Sequence, residues 1–218
     1  MKAAHIIENV LKNIDRRMAV RAVACGLVFA AACSFAGFSA KCDGIRSSVL
    51  RMHIIANSDE AKDQELKLFV RDRLLAVSSR VFDGCISEAD AEAAAEENIN
   101  LLQRTAEDAI RDFGSKSQVT VSVGDAWFSN REYDDFTLPA GTYKAVRVVI
   151  GNGSGHNWWC VMFPAVCLPA ASDGGKDISS VLTEDETDVV KNSDKYVAKF
   201  KVVELYEDIK NRLYKWLS

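Results

Sequence analysis

Histidine is scarce in this chain of 218 residues: His5, His53 and His156 are too scattered for a His-rich metal site. A basic excess is also missing. Lys and Arg number 27 against 31 Asp and Glu, for a formal net charge of −4, and no basic stripe with interleaved aromatics occurs. That removes the usual footprint of nucleic-acid binding. No Gly-x-Ser-x-Gly elbow, phosphate loop or His-Glu-x-x-His is present, so the common self-contained hydrolase and nucleotide sites have no basis here. No catalytic residue, metal ligand or small-molecule cofactor is therefore expected. There are three prolines, Pro139, Pro164 and Pro169, and all lie in or beside one stretch. What remains is an ordinary globular balance, 48% hydrophobic and 27% charged, on a chain long enough for one domain plus extras.

The one long uncharged run is near the start. Residues 1–21 form a basic n-region with Lys2, Lys12, Arg16, Arg17 and Arg21. Residues 22–40 carry no charge, and as a helix they would rise about 28 Å, close to a bilayer's hydrocarbon thickness. They are expected to be a signal peptide or a signal-anchor transmembrane helix, with the basic side retained in the cytoplasm and all that follows residue 41 outside. Cleavage stays open. Ser34-Phe35-Ala36 and Gly37-Phe38-Ser39 place small residues where signal peptidase needs them, while the long n-region favours an uncleaved anchor. Cys25 and Cys33 follow small residues but lack a Leu-like residue three positions upstream, which argues against lipoprotein processing.

After a linker at 41–48, a core domain is expected over 49–170, followed by an acidic linker and a C-terminal amphipathic helix over 171–218. Val49–Ala56 reads as a strand, with Leu50, Met52 and Ile54 on one face and Arg51 and His53 on the other. Asn57 and Glu60 look like a helix start. Leu66, Phe69, Val70, Leu74 and Val77 recur at helical spacing, opposite a solvated face with Lys67, Arg71 and Asp72. Ser87–Asp90 opens a second helix that runs to a stop at Gly114. Val119, Val121 and Val123 alternate with polar residues as in a half-buried strand, and Pro139-Ala140-Gly141 reads as a turn. Ser172–Asp194 reads as a loose excursion and Ala198–Glu204 as a last strand. A final helix then puts Leu205, Ile209, Leu213 and Trp216 on one face, either packed on the domain, which is the default, or turned to a membrane or a partner helix.

The stretch the chain is organised around is Gly141–Pro169. Tyr143–Ile150 and Asn157–Phe163 read as strands, and the glycines of Gly151-Asn152-Gly153-Ser154-Gly155 let the chain reverse between them. The pair is expected to form a central hairpin. The fold class is then α+β: an antiparallel sheet with two amphipathic helices packed on one face, behind the N-terminal membrane or signal helix. Trp158 and Trp159 point to opposite faces of their strand, one toward the core and one outward as a binding anchor. In an exported domain Cys42, Cys85, Cys160 and Cys167 allow three fully paired connectivities. Cys160 and Cys167 flank Pro164 closely enough for a bridge, and two buried free thiols are the alternative. A cysteine nucleophile at Cys160 served by His156 is disfavoured, because four extended residues separate the two by about 13 Å.

Three ordered blocks resemble the stage II sporulation protein R family. They are Leu50–Asp59 with Asp63-Gln64, Leu66-Lys67 and Val70-Arg71-Asp72; then Pro139-Ala140-Gly141-Thr142-Tyr143; then Gly151-Asn152-Gly153, Asn157-Trp158-Trp159-Cys160, Phe163-Pro164 and Cys167. The resemblance runs from about Val49 to Pro169. It implies a signalling protein and no enzyme: one made in the forespore and exported into the intermembrane space of the sporulation septum. There it would activate a membrane-embedded aspartic protease of the mother cell, which processes the sigma-E precursor. The expected contact surface is Gly151, Asn152, Gly153, His156, Asn157, Trp158 and Trp159. A cell-wall-binding module and a cysteine-dependent hydrolase are the alternatives.

Overall fold

A computed structural model describes residues 16–166 and 177–217. Residues 1–15 of the basic n-region, and 167–176 with Cys167, lie outside the described residues. The chain divides into two units, 1–40 and 41–218. Helix α1 (Arg16–Arg46) supplies the described part of the first and only its last turns belong to the second. Its 31 residues make a helix long and apolar enough to cross a membrane, and Met18, Val23, Leu27 and Phe29 are exposed along it.

The second unit is built on a four-stranded sheet ordered β2 (Val119–Phe128), β5 (Gly141–Ile150), β1 (Leu50–Ile55), β6 (Asn157–Phe163). Strands β3 (Arg131–Glu132) and β4 (Thr137–Leu138) form a separate two-stranded ribbon. The antiparallel sheet expected from the sequence is in fact mixed. β1 runs parallel to β5 and antiparallel to β6, and β2 is antiparallel to β5. The predicted hairpin is therefore split: β5 and β6 are not neighbours, and β1 lies between them. The reason is legible in β1, whose six residues are all buried. A strand covered on both faces belongs in the middle of a sheet. A parallel pair also needs a long crossover, which the helices and β2 provide between β1 and β5.

One face of the sheet carries Leu50, Met52 and Ile54 of β1, Val146, Val148 and Ile150 of β5, and Val119 and Val121 of β2. They share a buried cluster with three helices, where two were expected: α2 (Ala61–Val81), α3 (Glu88–Glu97) and α4 (Ile99–Asp112). The second predicted helix breaks at Asn98, which ends α3 and starts α4 with φ −99° and ψ 15°. Ser87 and Asp90 form the expected capping box, and Gly114 takes φ +80° just past α4. Burying side chains such as Leu66, Leu74 and Leu102 stabilises the unit by roughly 1.5–3 kcal/mol each.

A second group of buried residues lies outside that cluster and includes Ile45, Leu138, Val189, Phe200 and Val203. It forms where α5 (Glu184–Lys191) and α6 (Val197–Leu217) are found. The acid-rich segment read as a loose excursion thus contains a helix, capped by a Thr183–Glu186 box. The strand predicted at Ala198–Glu204 is helical, because Phe200, Val203 and Glu207 recur at helical spacing on the buried side. Arg46 ties this group together. It donates to the Ala140 carbonyl (2.7 Å) and to Asp43 (2.6 Å), and it pairs with Glu207 at 3.5 Å. Gly141 makes room for it: the residue takes φ +144°, and a Cβ there would lie 2.6 Å from Arg46 Cδ. Tyr143 hydroxyl donates to the Pro139 carbonyl at 2.6 Å. The Pro-Ala-Gly-x-Tyr block is therefore a structural joint.

Candidate functional site

The Gly151–Gly155 loop closes over the C-terminal end of β1. Gly151 N–H donates to the Gln118 carbonyl, Gly155 N–H to Ala56 and Ser154 N–H to Asn57. Ser154 Oγ also donates to the Asn57 carbonyl (2.7 Å), and Asn152 N–H to Asn57 Oδ1 (3.0 Å). Gly151 and Gly153 have φ +57° and +61°, the left-handed region that glycine enters without steric cost. Gly155 is needed for space, since a Cβ there would sit 2.2 Å from the Ser58 carbonyl oxygen. Gly155→Ala should accordingly push the loop off β1 and cost about 1–3 kcal/mol in urea unfolding. An unchanged midpoint would show that the loop can shift freely.

The sequence pattern predicts Asn57 as the cap of α2, but Glu60 is the N-cap and makes no side-chain cap bond. Asn57 instead spans the loop and the helix, donating to Asp63 at 2.8 Å, and Ser58 donates to the same carboxylate at 2.6 Å. Gln64 Nε2 donates to the Ser58 carbonyl, and Lys67 Nζ donates to Gln64 Oε1 (2.6 Å) and to the His156 carbonyl (3.0 Å). Lys67 is therefore buried, not on a solvated face as predicted, and burial lowers its pKa. His156 N–H donates to Asp59 Oδ1 and its ring Nδ1 pairs with the same oxygen. These bonds hold the Asp59 carboxyl below the usual range. The first and third sequence blocks are thus one physical unit, the polar residues of the first holding the loop of the third.

Trp158 and Trp159 do point to opposite faces. Trp158 packs against the helix-side cluster, with the Arg71 guanidinium 4.4 Å from its ring. Trp159 lies on the other face, opposite His53 in the strand register, and stacks on the His53 ring at 3.9 Å. Phe128 meets Trp159 edge-on at 4.7 Å, and Arg131 lies 5.5 Å from its ring. Below them Arg51 is fully buried, 3.9 Å from Phe128 and 4.7 Å from Tyr143, with a 2.6 Å hydrogen bond to the Tyr133 hydroxyl. This face is a column of packed rings held between two cations, Arg51 at its buried end and Arg131 at its outer end.

His53 is only 9% exposed, and desolvation pushes its pKa down to about 4, with the charges of Arg147 and Arg51 adding to the effect and a hydrogen bond with Asn157 opposing it. At neutral pH it is an uncharged stacking ring. The unfolded chain binds the proton near pH 6.5, so between about pH 6.5 and 4 the unfolded state carries more protons and stability falls as pH falls. The full effect is about 3 kcal/mol from the shift in pKa. Urea unfolding at pH 7 and pH 4.5 should show this loss in wild type and a clearly smaller one in His53→Phe; parallel losses would refute it.

Two clefts flank Trp159. One, of about 510 Å³, is lined by Arg131, Tyr133, Asp134, Asp135, Asn157 and Trp159. The other, of about 460 Å³, is lined by Asp59, Arg131, Gly155, His156, Asn157 and Trp159. Of the residues predicted for the surface, Gly151, Asn152, Gly153, His156, Asn157 and Trp159 gather at the loop and these clefts, while Trp158 packs its ring against the helices and also borders the larger cleft. Arg131 was not foreseen, since a lone Arg in a short ribbon carries no periodicity. Cys160 is fully buried and disulfide-bonded. Cys167, the partner expected for it, lies outside the described residues. With its sulfur in a disulfide, Cys160 offers no thiolate, and His156 faces Asp59.

The family model for stage II sporulation protein R matches residues 46–173. The chain belongs to the stage II sporulation protein R family. It is 30% identical over 130 residues to the stage II sporulation protein R of Bacillus subtilis (strain 168), an alignment covering 60% of this chain and 58% of that relative. The chain thus spans less than two thirds of the relative's length. No solved structure matches it. The matched span contains α1's last residue, the whole sheet and the clefts, and ends before α5 and α6. Membership implies a role in sporulation.

Proposed function

We propose that this chain is an exported sporulation signal that activates a membrane-embedded aspartic protease of the mother cell, which then processes the sigma-E precursor. In this reading α1 is the export or anchoring segment, and the second unit acts in the intermembrane space of the septum. The observation that carries the contact surface is the convergence of the first and third sequence blocks on one exposed loop beside two clefts and a half-buried Trp159. A rigid loop and an aromatic anchor suit docking on a protein segment. Docking shifts the protease toward its active state only if the surface binds that state more tightly.

The experiment is co-expression of this chain, the protease and the sigma precursor in a non-sporulating bacterium, scoring precursor cleavage by size. Cleavage that requires both the chain and its export segment supports the reading. No cleavage, with the chain exported and folded, overturns it. Retention on purified cell wall would then favour the cell-wall module. Stacking on sugar has less support from the site, because His53 already covers one face of the Trp159 ring.

A further inference from the structure

We propose that α6 lies along an anionic lipid surface. The helix stands outside the span that matches the family and plays no part in the site above. Its stripe Leu205, Ile209, Leu213 and Trp216, expected by default to pack on the domain, is exposed instead, and so are Val202 and Tyr206. Their exposures run from 47% at Tyr206 to 81% at Trp216. At about 100° per residue these six side chains occupy one arc of roughly 100°. The domain-facing side is a different one, Phe200, Val203 and Glu207.

The borders of the arc decide the occupant. Lys201 and Arg212 flank it on one side and Lys199 and Lys210 on the other. The acids Glu204, Glu207 and Asp208 lie off the arc and each pairs with a border cation: Glu204 accepts from Asn130 and pairs with Lys201 at 3.2 Å, Glu207 pairs with Arg46 and with Lys210 at 3.4 Å, and Asp208 pairs with Arg212 at 2.9 Å, so no acid faces the arc itself. An apolar arc with aromatic members and cationic borders matches the boundary between acyl chains and anionic headgroups. A second copy fits less well. Val202, Tyr206, Ile209, Leu213 and Trp216 would form a heptad seam, but the residues flanking it include Leu205, Lys210, Arg212 and Leu217 and no exposed acid. Neither a parallel nor an antiparallel pair then gains complementary charges. The five cations and three anions of α6 also contrast with the acidic balance of the whole chain.

The test uses the full chain reconstituted in vesicles with brominated acyl chains, either phosphatidylcholine alone or mixed with phosphatidylglycerol. The fluorescence difference between wild type and Trp216→Phe isolates Trp216; α1 contains no tryptophan, so its insertion leaves that difference unchanged. Bromolipid should quench the Trp216 component in the anionic vesicles. Quenching should fall about threefold in phosphatidylcholine alone, or when NaCl is raised to about 0.5 M. Ile209→Asp with Leu213→Asp should abolish it without moving the thermal transition, since both residues are exposed. An unquenched Trp216 in anionic vesicles overturns the proposal. If cross-linking then yields a dimer through α6, the occupant is a second copy; if it does not, the stripe serves a protein partner. Equal quenching in both lipids overturns the anionic preference.

Discussion

Trp159→Ala should lower precursor cleavage in the co-expression assay by roughly 10- to 30-fold, the effect of removing a central aromatic anchor worth about 2 kcal/mol of binding. Trp159 lines both clefts and stands where the loop meets the sheet. It also stacks on His53 and meets Phe128 edge-on, so the substitution costs about 2 kcal/mol of stability as well. Two further variants separate folding from docking. Trp158→Ala removes a ring packed under Arg71 and the helix cluster, and should destabilise at least as much while leaving cleavage per folded molecule near wild type. Arg131→Ala takes away the outer cation of the column and should reduce cleavage with little change in the unfolding midpoint. If Trp158→Ala and Trp159→Ala lose activity only in proportion to their unfolded fractions, the Trp159 surface is not the contact.

Arg51→Ala should be the most damaging single change to stability, at about 3–5 kcal/mol in urea unfolding of the purified chain. The side chain is fully buried in the second unit. It fills the space between Phe128 and Tyr143, so its loss leaves a cavity together with broken cation–π contacts and an unpaired Tyr133 hydroxyl. Arg51→Met isolates the charge. Nε and Nη1 of Arg51 have no hydrogen-bond partner among the described residues, so the buried cation itself carries a desolvation cost. Met fills most of the volume without that cost, and should recover at least half of the loss. A Met variant as unstable as the Ala variant would mean that the ring–cation attraction outweighs packing, which would sink the cavity account.

The joints of the fold explain why the three sequence blocks go together. Asn57, Ser58, Asp63, Gln64 and Lys67 look like a helix start and a solvated helix face when read along the chain. In the folded unit they hold a loop that lies almost a hundred residues away. Gly141 reads as a turn residue, yet its missing side chain is what admits Arg46, and Arg46 in turn holds Glu207 of α6.

Local order was legible wherever a pattern repeats within one element. Leu50, Met52 and Ile54 against Arg51 and His53, the capping box at Ser87, the helical stripe of α2 and the opposite directions of Trp158 and Trp159 all follow from periods of 2 and 3.6 and from cap chemistry. So did the uncharged run of residues 22–40 within α1. What the sequence alone determined was therefore the elements with regular periods and the residues of the loop. The tertiary structure decided which strand lies beside which, that β1 separates β5 from β6, and that Lys67 and Arg51 are buried. It also decided which face of α6 is left exposed. Each of these depends on partners far away in the chain, and a side chain's periodicity records only that it has a buried face, not what covers it.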